Sequence, residues 1–272
     1  MSRTDGAPRV AVVGDNCIDW ILPAGQRFVG GNAVNVGVQL AGLGARVTYF
    51  GAVGADADGA LVAAALEARG VDLTGLVVRA ERPTSRTIIE VDETGDRRFV
   101  SEDFGACDGY VPDAAALAVL EGKGHVHIGW LNDGGALRRH LVARQVPVSQ
   151  DISVNAAAED LGVDGLAIAF VSAPGTHAAA RAAARGLLGR GARGVVVTRG
   201  AMGSSVFLEA GEAEAEAVAV APLDTTGAGD SYVAGFLMAR LNGAGVAEAA
   251  AEGARVAARC CLHSGGFPQE PA

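Results

Sequence analysis

The chain has 272 residues, of which 50% are hydrophobic, 19% are charged and 39 are glycine, and its formal net charge is −9. That acidic balance argues against a nucleic-acid groove or an anionic membrane surface, both of which call for a basic patch. No run reaches the roughly 18 apolar residues of a membrane span, and the first residues lack the apolar core of a signal peptide. The four cysteines, Cys17, Cys107, Cys260 and Cys261, form no CxxC pair. Reduced, buried thiols in a cytoplasmic protein are therefore expected. Any anionic ligand has to be held by local devices such as backbone amides, and the glycines are the place to look for them.

In chain order, Val10-Ala11-Val12-Val13 is an apolar run that stops at Gly14, the pattern of a buried strand feeding a loop. Helical spacing follows over 33–43, a strand over 47–50 and a second helix over 61–68. This β-α-β-α order predicts a parallel sheet with helices on its faces. The pattern resumes with strands near 125–128, 146–151, 167–171 and 195–198, and helices near 113–120, 136–144, 177–188, 229–241 and 246–261. One stretch breaks the rhythm. Residues 87–91 and 97–100 read as two short strands around the turn Asp92-Glu93-Thr94-Gly95-Asp96, a hairpin, and 18–29 could add strands to the same small sheet. The expectation is a single α/β domain over 1–272 carrying a small β lid built from segments about 16–30 and 84–104.

The strongest chemical signal is Asp224-Thr225-Thr226-Gly227-Ala228-Gly229-Asp230, placed just before a helical run. Two glycines around a small residue let backbone N–H groups turn toward one point, and the helix N-terminus adds its orphan donors and positive dipole end. Asp230, in the first turn, could accept the proton of a hydroxyl that attacks a phosphoryl group. Near the other end of the chain, Gly30-Gly31-Asn32-Ala33-Val34-Asn35 places two amide side chains on one face of a first helical turn. The loop Gly51-Ala52-Val53-Gly54-Ala55-Asp56-Ala57-Asp58-Gly59 is punctuated by glycine without the dinucleotide spacing. The first strand runs instead into Gly14-Asp15-Asn16-Cys17-Ile18-Asp19. Asp15 and Asp19 are thus carboxylates at the carboxyl end of a strand, where α/β sheets bind ligands. Carboxylates and amides together suit a polyhydroxylated ligand.

The strings GGNAVN, GAVGADADG and DTTGAGD, in this order and spacing, resemble the ribokinase-like (PfkB) family of carbohydrate kinases over roughly residues 9–267. Within it, GDNCID, GGNAVNVGV and Val171-Ser172-Ala173-Pro174 look most like the fructoselysine kinases, which phosphorylate an Amadori adduct on its sugar. The resemblance implies a three-layer α/β/α sandwich with a mostly parallel central sheet and a small β-sheet lid. It implies an ATP-dependent phosphotransferase acting on a sugar hydroxyl, with Mg²⁺ and a monovalent cation such as K⁺ as cofactors, and a homodimer paired through the lids. By position it makes Asp230 the catalytic base and Gly227, Ala228 and Gly229 an anion hole. Asp19, Gly31, Asn32 and Asn35 match sugar-binding positions, and Asp15 joins them from the reading above. Thr198, Gly200 and Gly203 match the nucleotide-binding segment. Asp224 and the Thr226 carbonyl match a monovalent-cation site that Cys260 and Gly265 could complete.

Two departures stand out. Where most relatives carry Asn-x-x-Glu, the window reads Ser172-Ala173-Pro174-Gly175-Thr176-His177, and the lysine that many ribokinases place after the paired glycines is Asn32. Rival readings follow: a ribose, fructose or nucleoside kinase of the same fold, or a sugar- or nucleotide-binding sensor without catalysis. Other candidates carry a functional and a structural reading each. His125 and His127 share a strand face as metal ligands or as a structural pair, with no third ligand at matching spacing. Trp20 and Trp130 could stack on a substrate or fill the core, Asp133 could meet a substrate amine, and Arg138-Arg139 reads as an exposed pair.

Overall fold

Val10, Ala11, Val12 and Val13 have no exposed surface, because their strand is sandwiched between helices on both sides. A computed structural model of the chain describes residues 6–91 and 97–272. The first strand, β1 (Arg9–Val13), is followed by β2 (Cys17–Leu22), β3 (Gln26–Gly30), α1 (Asn32–Gly42), β4 (Arg46–Gly54), α2 (Ala57–Glu67) and β5 (Asp72–Arg79). Next come β6 (Arg86–Val91), β7 (Arg97–Asp103), α3 (Ala114–Glu121), β8 (His125–Ile128), α4 (Ala136–Ala143), β9 (Val148–Asp151), β10 (Ile168–Ser172), α5 (His177–Gly189) and β11 (Gly194–Thr198). The chain finishes with β12 (Ser204–Leu208), β13 (Gly211–Ala215), α6 (Ala228–Leu241) and α7 (Val246–Cys260).

Nine strands form one sheet in the order β13-β12-β11-β10-β9-β8-β1-β4-β5. It is parallel from β5 through β11, and β12 and β13 run antiparallel at one edge. Alternate residues of each strand bury opposite faces. Val10 and Val12 join the cluster that holds α1, α2, α6 and α7 residues, while Ala11 and Val13 join the one holding α3, α4 and α5 residues. The result is the three-layer α/β/α sandwich that the motifs imply. The connection leaves β1 toward β4 on one side and later returns to β8 on the other, so β1 marks the switch point, where a crevice opens at the carboxyl ends.

The remaining strands form the small sheet β3-β2-β6-β7. The expected pairing of the 87–91 and 97–100 segments is present and antiparallel, while β2 and β6 lie parallel. The turn 92–96 between them lies outside the described residues. The small sheet is tied to the main body by Asp58 in α2, which accepts from Arg27 (3.1 Å) and Arg86 (3.0 Å), and by Gln269, whose side-chain amide pairs with both the N–H and the carbonyl of Val29.

One strand differs from the expectation. β5 is an edge strand interrupted by Gly75 and polar residues, so no apolar run announces it. The acidic alternation Glu212-Ala213-Glu214 is the outermost strand, β13, with its glutamates outward, as suits an edge facing water. Arg138 is not exposed: it is buried, and donates to the Asp164 carbonyl at 2.9 Å. Three of the cysteines are buried, Cys261 is half-buried, and all four are free thiols. Among the described residues no helix is long and apolar enough to cross a membrane.

Candidate active site

Gly31 precedes α1 with φ +109°, and a Cβ there would lie 2.6 Å from Asn16 Cα. Only glycine lets the incoming chain press against the loop after β1 at this point. That approach brings Asp15 under the helix, where its carboxylate accepts from the Asn32 N–H (2.9 Å) and the Ala33 N–H (3.1 Å). Asp15 therefore caps a helix whose own N-cap residue has no side chain, an arrangement worth about 1–2 kcal/mol. Both its oxygens are turned to the backbone.

From the same first turn, the Asn32 carboxamide reaches two further carboxylates. Its Nδ2 donates to Asp230 Oδ1 at 2.7 Å and to Asp151 Oδ2 at 2.9 Å. One turn on, Asn35 Nδ2 donates to Asp230 Oδ2 at 2.7 Å. Each Asp230 oxygen is thus held by one amide, which fixes the carboxylate plane at the start of α6. Withdrawal from water pushes the Asp230 carboxyl well above the usual carboxylate range; the Asp151 and Asp15 charges push the same way, and the two asparagines oppose them. Desolvation likewise raises Asp151 and Asp15. A carboxylate with raised proton affinity, positioned at a helix N-terminus, is equipped to take a proton from a bound hydroxyl.

Gly227 makes the turn into α6. It has φ +73°, and a Cβ would lie 2.5 Å from Gly266 Cα, so both conformation and space require glycine. Of the predicted anion-hole residues, Ala228 spends its N–H on the Thr225 carbonyl (3.2 Å). The first-turn N–H groups of Gly229 and Asp230 have no acceptor within the helix, and a Cβ on Gly229 would meet nothing within 4 Å. Open space lies over an orphan-donor end, as an anion site requires.

Asp19 lies on β2 of the small sheet, buried, and accepts from the Cys17 thiol at 3.0 Å. It lines a cavity of about 30 Å³ with Ile21, Phe28, Asp224, Thr226 and Gly265, so the small sheet meets the segment before α6 there. Asp224 accepts from the N–H groups of Thr226 and Gly265, each at 2.8 Å. The Cys260 thiol stands where the carbonyls of Thr226 (3.3 Å), Gly266 (3.5 Å) and Gly265 (4.0 Å) converge. Thr198 ends β11, and Gly200 and Gly203 shape the short turn after it, both with positive φ.

Asp151 is the site residue that the sequence reading missed. A carboxylate at the carboxyl end of a parallel strand was the signal that singled out Asp15, and β9 ends on the same signal. Several other candidates are structural. His125 Nε2 and His127 Nδ1 share the Ser149 hydroxyl at 2.8 and 2.9 Å, inside the core. Trp130 is covered by Phe104 at 3.8 Å between ring centroids, and Trp20 lies under the Arg86 and Arg27 guanidinium groups. Asp133 caps α4, accepting from the N–H groups of Gly135 and Leu137, which leaves it a helix cap and not an amine contact.

Comparison with known proteins shows the family and the fold. The chain belongs to the pfkB family of carbohydrate kinases, whose sequence profile matches residues 8–122 and 164–272. It is 30% identical to the fructosamine kinase FrlD of Bacillus subtilis over 274 residues, covering 95% of this chain and 93% of that protein. To a fructoselysine 6-kinase of Shigella flexneri it is 29% identical over 260 residues, covering 95% and 99%. The fold matches a ribokinase of Arabidopsis thaliana, solved with ribose and ATP, with a TM-score of 0.84 at 23% identity over 96% and 94% of the two chains. This protein is a sugar kinase, a phosphotransferase acting on a sugar hydroxyl.

Proposed function

We propose that this kinase transfers the γ-phosphoryl group of ATP to a sugar hydroxyl of a fructosamine, with fructoselysine as the representative substrate. The observation that carries the reading is the Asp230 carboxylate, gripped by Asn32 and Asn35 beside the open N-terminus of α6. In this reading the substrate hydroxyl lies between Asp230 and the γ-phosphoryl group. Asp230 accepts the hydroxyl proton as the new O–P bond forms and the bond to ADP breaks. The orphan N–H groups of Gly229 and Asp230 stabilise charge on the phosphoryl oxygens. The small sheet acts as a lid that brings Asp19 over the sugar and excludes water. The turn after β11, with Thr198, Gly200 and Gly203, receives the nucleotide. The fructosamine choice draws on the two kinase relatives, a fructosamine kinase and a fructoselysine 6-kinase.

Among the described residues no group of three or more His, Cys, Asp or Glu is arranged to hold a metal ion. In this reading Mg²⁺ would come with the nucleotide and neutralise phosphate charge. K⁺ would need the carbonyls on which the Cys260 thiol now stands, and turnover equal in potassium and in tetramethylammonium salts would remove it from the proposal. A homodimer paired through the lids, tested by native mass, completes the reading. The central test is coupled ADP release over fructosamines, fructose, ribose and nucleosides. Turnover favouring fructoselysine is the expected result. Preference for ribose or a nucleoside would move the protein to that branch, and nucleotide or sugar binding without turnover on any member would make it a sensor.

A further inference from the structure

Asn32 is the point at which three carboxylates from three parts of the chain meet. Asp15, after β1, takes its backbone N–H; Asp151, at the end of β9, and Asp230, in α6, take the two hydrogens of its side-chain amide. Asp151 is itself anchored, because its other oxygen accepts from the Ser153 N–H at 2.8 Å. We propose that Asp151 is a positioning residue for Asp230, acting through the one carboxamide that the two carboxylates share. The proposal rests on the reading of Asp230 as the proton acceptor and extends it to a residue that touches neither nucleotide nor sugar in that reading.

The geometry supplies two effects. The first is orientation. The Asn32 Oδ1 is buried without a hydrogen-bond partner, and it lies close enough to Gly129 that a Cβ there would sit 2.6 Å away. An amide pays a desolvation penalty for such an oxygen and would rotate to satisfy it unless its nitrogen were held firmly. Two charge-assisted hydrogen bonds from one NH₂ group hold it, and removal of either leaves the amide free to turn. Asp151 therefore keeps Asn32 on Asp230 Oδ1. The second effect is charge. Two acceptors on one planar NH₂ group at 2.7 and 2.9 Å lie about 5 Å apart, within the range where like charges disfavour each other's ionisation. The groups facing Asp230 are Asn32 and Asn35 on α1, Asp15 after β1, Asp151 on β9 and the Cys260 thiol on α7. Asp151 is the only one among them whose charge is linked to Asp230 by a shared donor side chain. Its presence makes Asp230 a stronger proton acceptor, which favours transfer from a hydroxyl.

Two variants separate the effects. D151N retains an acceptor for Asn32 and loses the charge; D151A loses both. Two readouts are taken: the pH dependence of kcat/KM for the best sugar of the panel, and the ¹³C titration of the Asp230 carboxyl, assigned by its disappearance in D230N. For D151N, the acid limb of kcat/KM and the carboxyl titration should both move to lower pH by about one unit. D151A should show the same shift and, in addition, a fall in kcat of about tenfold, with the KM for ATP unchanged. Titration and acid limb superimposable on wild type in both variants would overturn the proposal, as would a loss of kcat that is uniform with pH and tracks lost stability. Should neither variant fold, D230N reports the same coupling from the other side, and an Asp151 titration unmoved by it has the same negative meaning. An inactive D230N beside an unshifted D151N defeats only the positioning role. A fully active D230N defeats the base assignment, and the carboxyl titration then still decides whether the two groups are coupled.

Discussion

Strands β8 and β9 carry two polar clusters a few ångströms apart, with opposite fates. In the core, one Ser149 hydroxyl serves both the His125 and His127 imidazoles, away from any ligand-facing edge. Two residues beyond Ser149 on β9, and so on the same face of the sheet, Asp151 begins the Asn32–Asp230 cluster. The histidines shed their charge: burial lowers His125 to about 4 and His127 to about 3. The carboxylates sit at the carboxyl edge of the sheet, where a ligand can reach them, and their proton affinities rise instead. Burial alone does not mark a functional polar group. A polar cluster enclosed in the core is structure, and one whose proton affinity is raised at the ligand edge is equipped for chemistry.

The two clusters should respond oppositely to substitution, and D230N has the largest expected effect. Turnover should fall by about 10²–10⁴-fold. Because the fold raises the proton affinity of Asp230, its ionised form weakens the fold above that titration. D230N should therefore melt higher than wild type at pH 8 while being inactive. A lower melting temperature would mean that the two asparagines outweigh the desolvation.

Next comes Gly227→Ala, which adds a Cβ against Gly266 at a positive φ. It should cost about 1–3 kcal/mol in urea unfolding and lower kcat through the displaced first turn of α6. An unaltered unfolding midpoint would show that the turn is softer than its geometry indicates.

Ser149→Ala should do the reverse of D230N. It leaves two buried imidazoles without their shared partner, at a cost of about 1–3 kcal/mol, and it should leave kcat unchanged because no reacting group touches Ser149. A loss of turnover at full stability would join the two clusters into one functional unit.

Near neutral pH the smallest effect is the pH dependence of stability, which grows only on acidification. Both histidines bind protons more weakly in the fold than at their ordinary value of 6.5, so unfolding takes up protons below it. Their contribution is intact above about pH 6.5 and is lost on acidification, by up to about 1.4 kcal/mol per pH unit for each. The raised carboxylates act with the opposite sign, gaining stability as they protonate. In D230N that compensation is reduced, and the acid decline measured by thermal melts should steepen.

Much of this was legible from local patterns. The apolar run at Val10–Val13, the glycine pairs before α1 and α6, and the hairpin strands around 92–96 are decided within a few residues, because backbone conformation is decided there. Asp230, Asn32 and Asn35 stood out for the same reason, each lying in the first turn of a glycine-entered helix. Edge strand β5 was hidden because an edge needs no continuous apolar run. The roles of Asp133 and Arg138 were hidden because a cap and a buried guanidinium depend on what packs nearby.

The acidic, glycine-rich composition implies that an anionic ligand has to be met by local devices such as backbone amides, and the glycine strings mark where the chain offers them. What composition and strings could not establish is which carboxylates end up together. Asn32 meets Asp151 across 119 residues and Asp230 across 198. That meeting exists only because the order of the parallel strands brings β1 and β9 to one edge and packs α6 against α1. Hydrogen bonds and charge act over a few ångströms, so a side chain's chemistry is set by neighbours in space, and the tertiary fold alone chooses those.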